Sequence, residues 1–524
     1  MQTDKNYDAI VIGSGIGGLT TAVLLTKIYK QRVLVLEKHF VPGGQTHEFM
    51  RVKNGKKYHW DVGVHYIGEM AKGVMSRKIF DFVTDGNLKW NKMPHFFENF
   101  VYPDFTFRQP ANPKEFEKAL IAKFPNEEEG IKQYFKDIKI AAKWFQSNSV
   151  SKLMPGWMYS VMNLFKKDNS GLALSTTKDY LDSIIQDEKL KALLTTIWGD
   201  YGVPPSKSAF VMHSLVVRSY LYGGYFPVGG AGAIAENMVP IIEKGGGKVL
   251  TSCNVKEIII ENSKATGGKA TGVKFNKKDK EYIFFGKNII SDTGAYNTYM
   301  KLIPKDVNIP FRDEIKNAMD DFSTTTLYVG LKESAEKLGL KGENYWINTS
   351  YDHDETFKKS KNSNEISSAF VSFPSLKNPK AKSHTAELIT FSHYDNFIKW
   401  KDTRWLKRGN DYIEMKKEIS EKLLDFVDKY IPGLKDLTDY AELSTPLTLE
   451  YFTEWKKGSF YGIPATPDRF KYKWVSPKTP VKNLYLTGSD ALSIGVVGAM
   501  MGGVFSIAAI KGMKGFMKIM KEIG

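Results

Sequence analysis

Cysteine is almost missing from this chain: Cys253 stands alone in 524 residues, which excludes an internal disulfide and fits a reducing compartment. Histidine is scarce as well, nine in all, and no two carry the spacing of paired metal ligands, so no metal site is expected. There is no nucleophile elbow and no Ser-His-Asp arrangement that spacing can assign. Low-complexity linkers and internal repeats are absent too. The opening "MQTDKNYDAIVIG" has neither a basic leader nor an apolar run before the first predicted strand. No secretory signal is therefore expected, and the expected location is cytoplasmic, with peripheral attachment to the inner face of a membrane left open.

What is present is ordinary globular material, 42% hydrophobic and 25% charged, long enough for two or three domains. The net charge is +16. The lysines are spread along the chain, without an arginine-rich block or a nucleic-acid module, so nucleic acid is discounted as a partner. An anionic ligand or membrane surface stays open. The oligomeric state is not readable.

The strongest local pattern is "YDAIVIGSGIGGLTTAVLLTKIYKQRVLVLEKH". Residues 7–12 form a short apolar run suited to a buried parallel strand. Gly13, Gly15 and Gly18 follow as G-x-G-x-x-G, ahead of a helix and a second strand ending at Glu37. The first glycine permits the turn, the second admits a pyrophosphate, and the third lets helix pack on strand. Glu37 stands where a ribose hydroxyl is bound, and the helix amino terminus offers N–H groups to phosphate. A dinucleotide is the expected ligand.

Directly afterwards "KHFVPGGQTHEF" supplies a second close-approach turn at Gly43 and Gly44. This doublet resembles the flavin-binding extension of the amine oxidase and phytoene desaturase superfamily, and the resemblance implies FAD. Near the other end, "NLYLTGSDALSIGVVGAMMGG" is similar to the superfamily's closing strand, Gly-Asp pair and glycine-rich helix. That implies Gly488, Asp490, Gly495 and Val497 against the cofactor, with the acid on its ribityl or phosphate region. Ser14, Lys38, Gln45 and Thr46 join the expected contacts, and a residue at the position of Val255 reaches the adenine through its backbone. Residues 491–510 carry no charge, and Gly498 and Gly502 have the spacing of packed transmembrane helices. Hydropathy alone does not separate a membrane span from a buried core helix; the resemblance favours the core helix.

Four blocks narrow the likeness: "WDVGVHYIG", "GDYGVPPSKSAFVMHSLVVRSYLYGGYFPVGGAGAIAE", "STPLTLEYFTEWKKGSFYG" and "NLYLTGSD". In this order they resemble the retinol saturases and carotenoid isomerases, nearest the retinol saturase branch. Gln45, Thr46 and Val228 depart from the family, which tends to have cysteines at the first two positions and a basic residue at the third. The implied fold is α/β: a Rossmann-like FAD-binding domain of amine oxidase/phytoene desaturase type with an inserted α+β substrate domain. The expected division is 1–69, 225–295 and 441–524 for the FAD domain, and 70–224 (mostly helical) and 296–440 for the substrate or lid domain.

The resemblance further implies an FAD-dependent oxidoreductase acting on an elongated apolar isoprenoid or polyene, as a double-bond reductase, with isomerase, desaturase or a flavin-carrying membrane-associated binding protein as alternatives. His65 and Tyr66 resemble the family's pair near the flavin, and His213, with Asp200 and Tyr201, lies in another shared block. For each, a core histidine or a packed tyrosine is the competing role. No second dinucleotide turn is visible, so NAD(P)H as electron donor would bind by another route, or electrons come from a separate reductase. Two segments, "WFQSNSVSKLMPGWMYSVMNLFKK" and "KGMKGFMKIMKEIG", have the composition of membrane-interface elements and equally of amphipathic helices packed on their own domain.

Overall fold

The computed structural model describes residues 5–151, 153, 168–262, 267–319, 322–361 and 365–524. The apolar run after the amino terminus forms the strand Asn6–Ile12, which pairs in parallel with Val33–Leu36. All four residues of Val33–Leu36 are buried, as a strand covered on both faces requires. Between them lies the helix Ile16–Tyr29, buried along nearly its whole length. It is apolar all round because it is packed on more than one side: the sheet, Gly232–Lys244 and Gly495–Ile523 all contact it.

Seven strands make this first sheet, in the order Asn254–Glu261, Lys269–Lys277, Lys280–Ser291, Asn6–Ile12, Val33–Leu36 and Lys248–Leu250, with Leu484–Leu486 beside the carboxyl end of Lys280–Ser291. The long strand Lys280–Ser291 changes partners along its length. Its first half runs antiparallel to Lys269–Lys277, and its second half runs parallel to both Asn6–Ile12 and Leu484–Leu486.

A second seven-stranded sheet has the order Thr438–Ser444, Phe322–Leu331, His384–His393, Ser368–Ser372, Asn344–Asn348, Phe96–Val101 and Thr106–Pro110. Its strands are antiparallel except for the pairing of Asn344–Asn348 with Phe96–Val101. One aromatic-rich core joins it to Glu128–Ser151, Phe210–Tyr220 and their neighbouring helices. Another core joins it to the amphipathic helix Asn410–Asp428.

Two expected limits shift, and the mostly helical stretch between them carries strands as well. The boundary at 440/441 cuts Thr438–Ser444, which is hydrogen-bonded into the second sheet. Residues 70–224 supply two strands to that sheet as well as helices. Within the same stretch, Met75–Val83 buries Ile79, Phe80 and Val83 in the core of the nucleotide-binding fold. Tertiary pairing, which composition does not register, decides each case.

The hairpin Glu48–Lys53/Lys56–Asp61 is clamped onto the second sheet. Tyr58 Oη donates to Asp439 Oδ2 at 2.6 Å, Trp60 Nε1 donates to the Val329 carbonyl at 3.1 Å, and Arg51 donates twice to Glu442 at 2.7 and 3.0 Å. Its first and last residues are thereby held between the two sheets.

The apolar run near the carboxyl end belongs to the helix Gly495–Ile523, the one helix among the described residues long and apolar enough to cross a membrane. Its glycine face is used within the chain. A Cβ on Gly502 would strike the Gly488 carbonyl, and one on Gly503 would lie 2.7 Å from the Gly17 carbonyl. The basic stretch that follows also packs on its own domain: Ile519 is fully buried, Phe505 meets Phe516 edge-on, and Tyr29 Oη donates to the Gly515 carbonyl at 3.1 Å. Of the other candidate interface segment, Trp144 and Phe145 pack against the aromatic-rich core and Leu153 against Phe505 and Ala508. Met154, Trp157, Met158, Tyr159, Met162 and Phe165 lie outside the described residues.

Candidate active site

One cavity of about 1120 Å³ runs along the carboxyl ends of the parallel strands, where ligands bind in open α/β sheets. Its floor is the first glycine turn. Gly13 has φ +95°, a backbone region open to glycine and strained for other residues. The helix that follows starts at Ile16 with no cap from its own N-cap residue and no acid in its first turn; the Gly15 and Gly18 N–H groups face the buried Asp292 carboxyl, leaving those of Ile16 and Gly17 for an anion.

Ser14 ties three pieces together. Its N–H and hydroxyl both donate to Glu37 Oε2, at 2.8 and 2.6 Å, while its hydroxyl and carbonyl each accept from Gly43 N at 3.1 Å. His39 N donates to the other Glu37 oxygen at 2.7 Å. The two glycine turns are therefore one unit, and a Cβ on Gly44 would sit 2.8 Å from the Gly15 Cα. Gly13, Ser14, Gly15, Glu37, Lys38, Gly44, Gln45 and Thr46 all line the cavity. At one end Val255 lines it beside Cys253 and Asn254; Lys38 is paired with Glu454 at 2.6 Å.

The carboxyl-terminal elements form the opposite wall. Gly488 (φ +77°) and Gly495 reach the cavity, and the long helix begins at Gly495 without a side-chain cap or an acid in its first turn. Two helix amino termini thus converge on one cavity. With the glycine turns, they fit a dinucleotide with a pyrophosphate at its centre.

Asp490 departs from expectation. It is buried outside the cavity wall, accepting from Ala295 N at 2.8 Å and Ile463 N at 3.2 Å and facing Arg469 Nη1 at 3.5 Å. It fastens two loops behind the site, and Ser489 takes the cavity position. Val497, Gly18 and Gly43 stand one step behind the wall, which Val496, Gly17 and Gly44 form. Asp292 was not anticipated. It lies against Gly13, Gly15, Gly17, Gly18 and Gly488, and burial, followed by the charge of Glu37, pushes its carboxyl up to about 7. Its place just beyond the end of Lys280–Ser291, at the carboxyl edge of the sheet, was the available signal.

None of the three candidate catalytic residues lines this cavity. His213 is fully buried between two tyrosines: Tyr134 Oη meets Nε2 at 2.8 Å and Tyr201 Oη meets Nδ1 at 3.2 Å. Burial holds its ring down at about 3, so it is neutral and already engaged at both nitrogens. Tyr66 donates to Asp200 Oδ2 at 2.7 Å and stacks on Tyr220 at 4.3 Å. His65 is paired through Nδ1 with Glu387 Oε2 at 2.6 Å. Among the described residues no group of three or more His, Cys, Asp or Glu is arranged to hold a metal ion.

A parallel sheet with a glycine turn, a late strand closing the same cavity and an inserted α+β domain define a Rossmann-like fold of the FAD-binding amine oxidase type. The profile of the NAD(P)-binding Rossmann-like domain matches residues 11–84. The solved structure of putrescine oxidase bound to putrescine superposes with a TM-score of 0.60 at 13% identity, over 97% of this chain and 98% of that one. All-trans-retinol 13,14-reductase of Danio rerio is 33% identical over 525 residues, covering 95% of this chain and 85% of the relative. Prolycopene isomerase 2, chloroplastic, of an Oncidium hybrid cultivar is 26% identical over 550 residues, covering 98% and 85%. The chain belongs to the all-trans-retinol 13,14-reductase family.

Proposed function

We propose that this chain is an FAD-dependent oxidoreductase that saturates a carbon–carbon double bond in an elongated apolar polyene or isoprenoid. The carrying observation is near-full-length kinship with a retinol reductase in a chain with a dinucleotide-shaped cavity. That cavity, about 1120 Å³, exceeds the roughly 300–1,000 Å³ usual for a small-molecule site. Gly13 to Gly17 would receive the pyrophosphate, Glu37 the ribose, the Val255 backbone the adenine, and Gly44 to Thr46 with Gly488 and Gly495 the flavin half. When bound, the flavin supplies hydride chemistry. The protein's part is to orient the double bond, keep water out and hold a proton. Electrons would come from NAD(P)H bound at no dedicated glycine turn, or from another reductase.

Isomerisation is the second reading, favoured by the prolycopene isomerase relative. One experiment separates the readings: the purified yellow protein is reduced anaerobically and mixed with all-trans-retinol, and flavin absorbance and product mass are followed. Saturation reoxidises the flavin and yields a product heavier by one molecule of hydrogen. Isomerisation changes retention at constant mass, and a binding protein does neither. Peripheral membrane contact, supported by the net charge of +16, is checked by flotation with anionic liposomes at low and high salt.

A further inference from the structure

The proposed reaction needs a proton as well as a hydride, and the residues first considered as its source are not in the cavity wall. Glu48 is. It lines the cavity at the start of the clamped hairpin, and among the described residues its carboxyl has no hydrogen-bond partner. Space for it is reserved by the Gly229–Gly230–Ala231–Gly232 turn, where a Cβ on Gly230 would overlap the Glu48 carboxyl. Directly opposite it across the hairpin stands Asp61, an arrangement unfavourable for two ionised acids. Asp61 Oδ1 accepts from Ala231 N at 2.6 Å, and Asp61 N donates to Glu387 Oε1 at 3.1 Å. Glu387 in turn holds His65 Nδ1 at 2.6 Å.

The elements around Glu48 crowd it with acids. The helix Gly232–Lys244 supplies the charge of Glu236 and the strand His384–His393 that of Glu387, while burial, followed by the charges of Glu387 and Glu48, raises the hairpin partner Asp61 well above the usual carboxyl range. The compensating cation is Lys377. Lys377 is 2% exposed and is occupied by neutral acceptors, donating to the His65 carbonyl at 3.0 Å, Ser372 Oγ at 2.8 Å and Asn344 Oδ1. Val228, before the glycine pair, adds no charge. Four carboxyl groups therefore meet around one lysine, and the half-buried Glu48 carboxyl has neither an ion pair nor a hydrogen-bond donor to stabilise its anion.

We propose that Glu48 is the catalytic acid of this cavity and that Glu236 and Glu387 are the positioning residues that keep a proton on it. The inference rests on the reductase reading above. A bound reduced flavin would supply hydride, with its two electrons, to one carbon of the π bond, and the neighbouring carbon would take the Glu48 O–H proton. Two C–H bonds replace the π bond, Glu48 is left as carboxylate, and water in the cavity restores its proton. Burial, followed by the charges of Glu236 and Glu387, raises the Glu48 carboxyl to about 7, which suits an acid working near neutrality.

The test compares wild type with Glu48→Gln and Glu48→Asp in two measurements. Infrared titration of the holoenzyme without substrate should show protonated-carboxyl absorbance that ionises near neutral pH, shared by Glu48, Asp292, Glu98 and Asp200, and Glu48→Gln should remove one carboxyl's share of it. An unchanged amplitude in that variant overturns the proposal. Single-turnover reoxidation of the reduced enzyme by all-trans-retinol should slow by about 10²-fold or more in Glu48→Gln, lose its alkaline fall, and recover in part in Glu48→Asp. Unchanged turnover in Glu48→Gln with full flavin content overturns the donation while the reductase reading stands. Failure of the wild type to reduce any polyene sinks the reductase reading and the donation with it, whereas the substrate-free titration still decides whether Glu48 stores the proton.

Discussion

Glu37 and His213 show how differently two buried polar residues can be employed. Glu37 receives three donors from the two turns, so Glu37→Gln replaces one accepting oxygen by an amide that meets N–H groups. Loss of a buried partner costs about 1–3 kcal/mol. The expected result is a protein that purifies largely colourless and unfolds at lower urea, measured by flavin absorbance and urea titration. His213→Phe should leave one of the Tyr134 and Tyr201 hydroxyls short of an acceptor and the other short of a donor, and lower stability by a similar amount, with turnover per bound flavin unchanged. A specific loss of turnover would return His213 to the chemistry. Because His213 is held down at about 3, its contribution to stability is complete above its ordinary value near 6.5 and is lost as pH falls from there toward 3.

At the scale of elements, the helix Gly495–Ile523 is a closing piece whose glycine face decides how near it comes. Gly502→Leu would drive a side chain into the Gly488 carbonyl. Overpacking of this kind costs about 1–3 kcal/mol, sometimes more, so reduced flavin retention is expected. Retention equal to wild type would mean that the helix does not set the cavity wall. The same helix shows what sequence can and cannot disclose. Gly13, Gly15, Gly44 and Gly488 were legible because the turn or the close approach demands glycine, whatever the rest of the chain does. Asp490 was misplaced because one residue along an irregular turn separates the cavity face from the loop behind it, and Ser489 occupies the former. Glu48 and Asp292 were invisible for another reason: a carboxylate in "THEF" or "SDTG" acquires meaning only when hairpin register and strand order bring it to the wall.

For the molecule as a whole, several carboxyls are raised together. Glu98 is pushed up to about 8 and Asp200 to about 6, chiefly by burial, alongside Glu48 and Asp292 at about 7. A raised carboxyl means that the folded state binds protons the unfolded chain has released, so stability falls as pH climbs through the interval. The lowered histidines act in the opposite sense but complete their titration by their ordinary value near 6.5. Between about pH 6.5 and 8 the apoprotein should therefore lose stability, read as a falling urea midpoint, and Glu98→Gln should flatten that slope. A midpoint that rises or stays level across this range would refute the assignment of protons to these sites.

The meeting of Gly17 with Gly488 and Gly503 has a consequence for biosynthesis. A ribosome must translate past Gly488 before the cradle exists, since its two halves are encoded some 470 codons apart (488 minus 17). A nascent chain stalled ahead of Leu484–Leu486 would carry the glycine turn yet retain no flavin, and the apolar flank of Ile16–Tyr29 would remain a chaperone client until the closing helix arrives. Loading of the cofactor then has to wait for the closing helix, and the yellow colour reports the arrival of that helix as much as bound ligand.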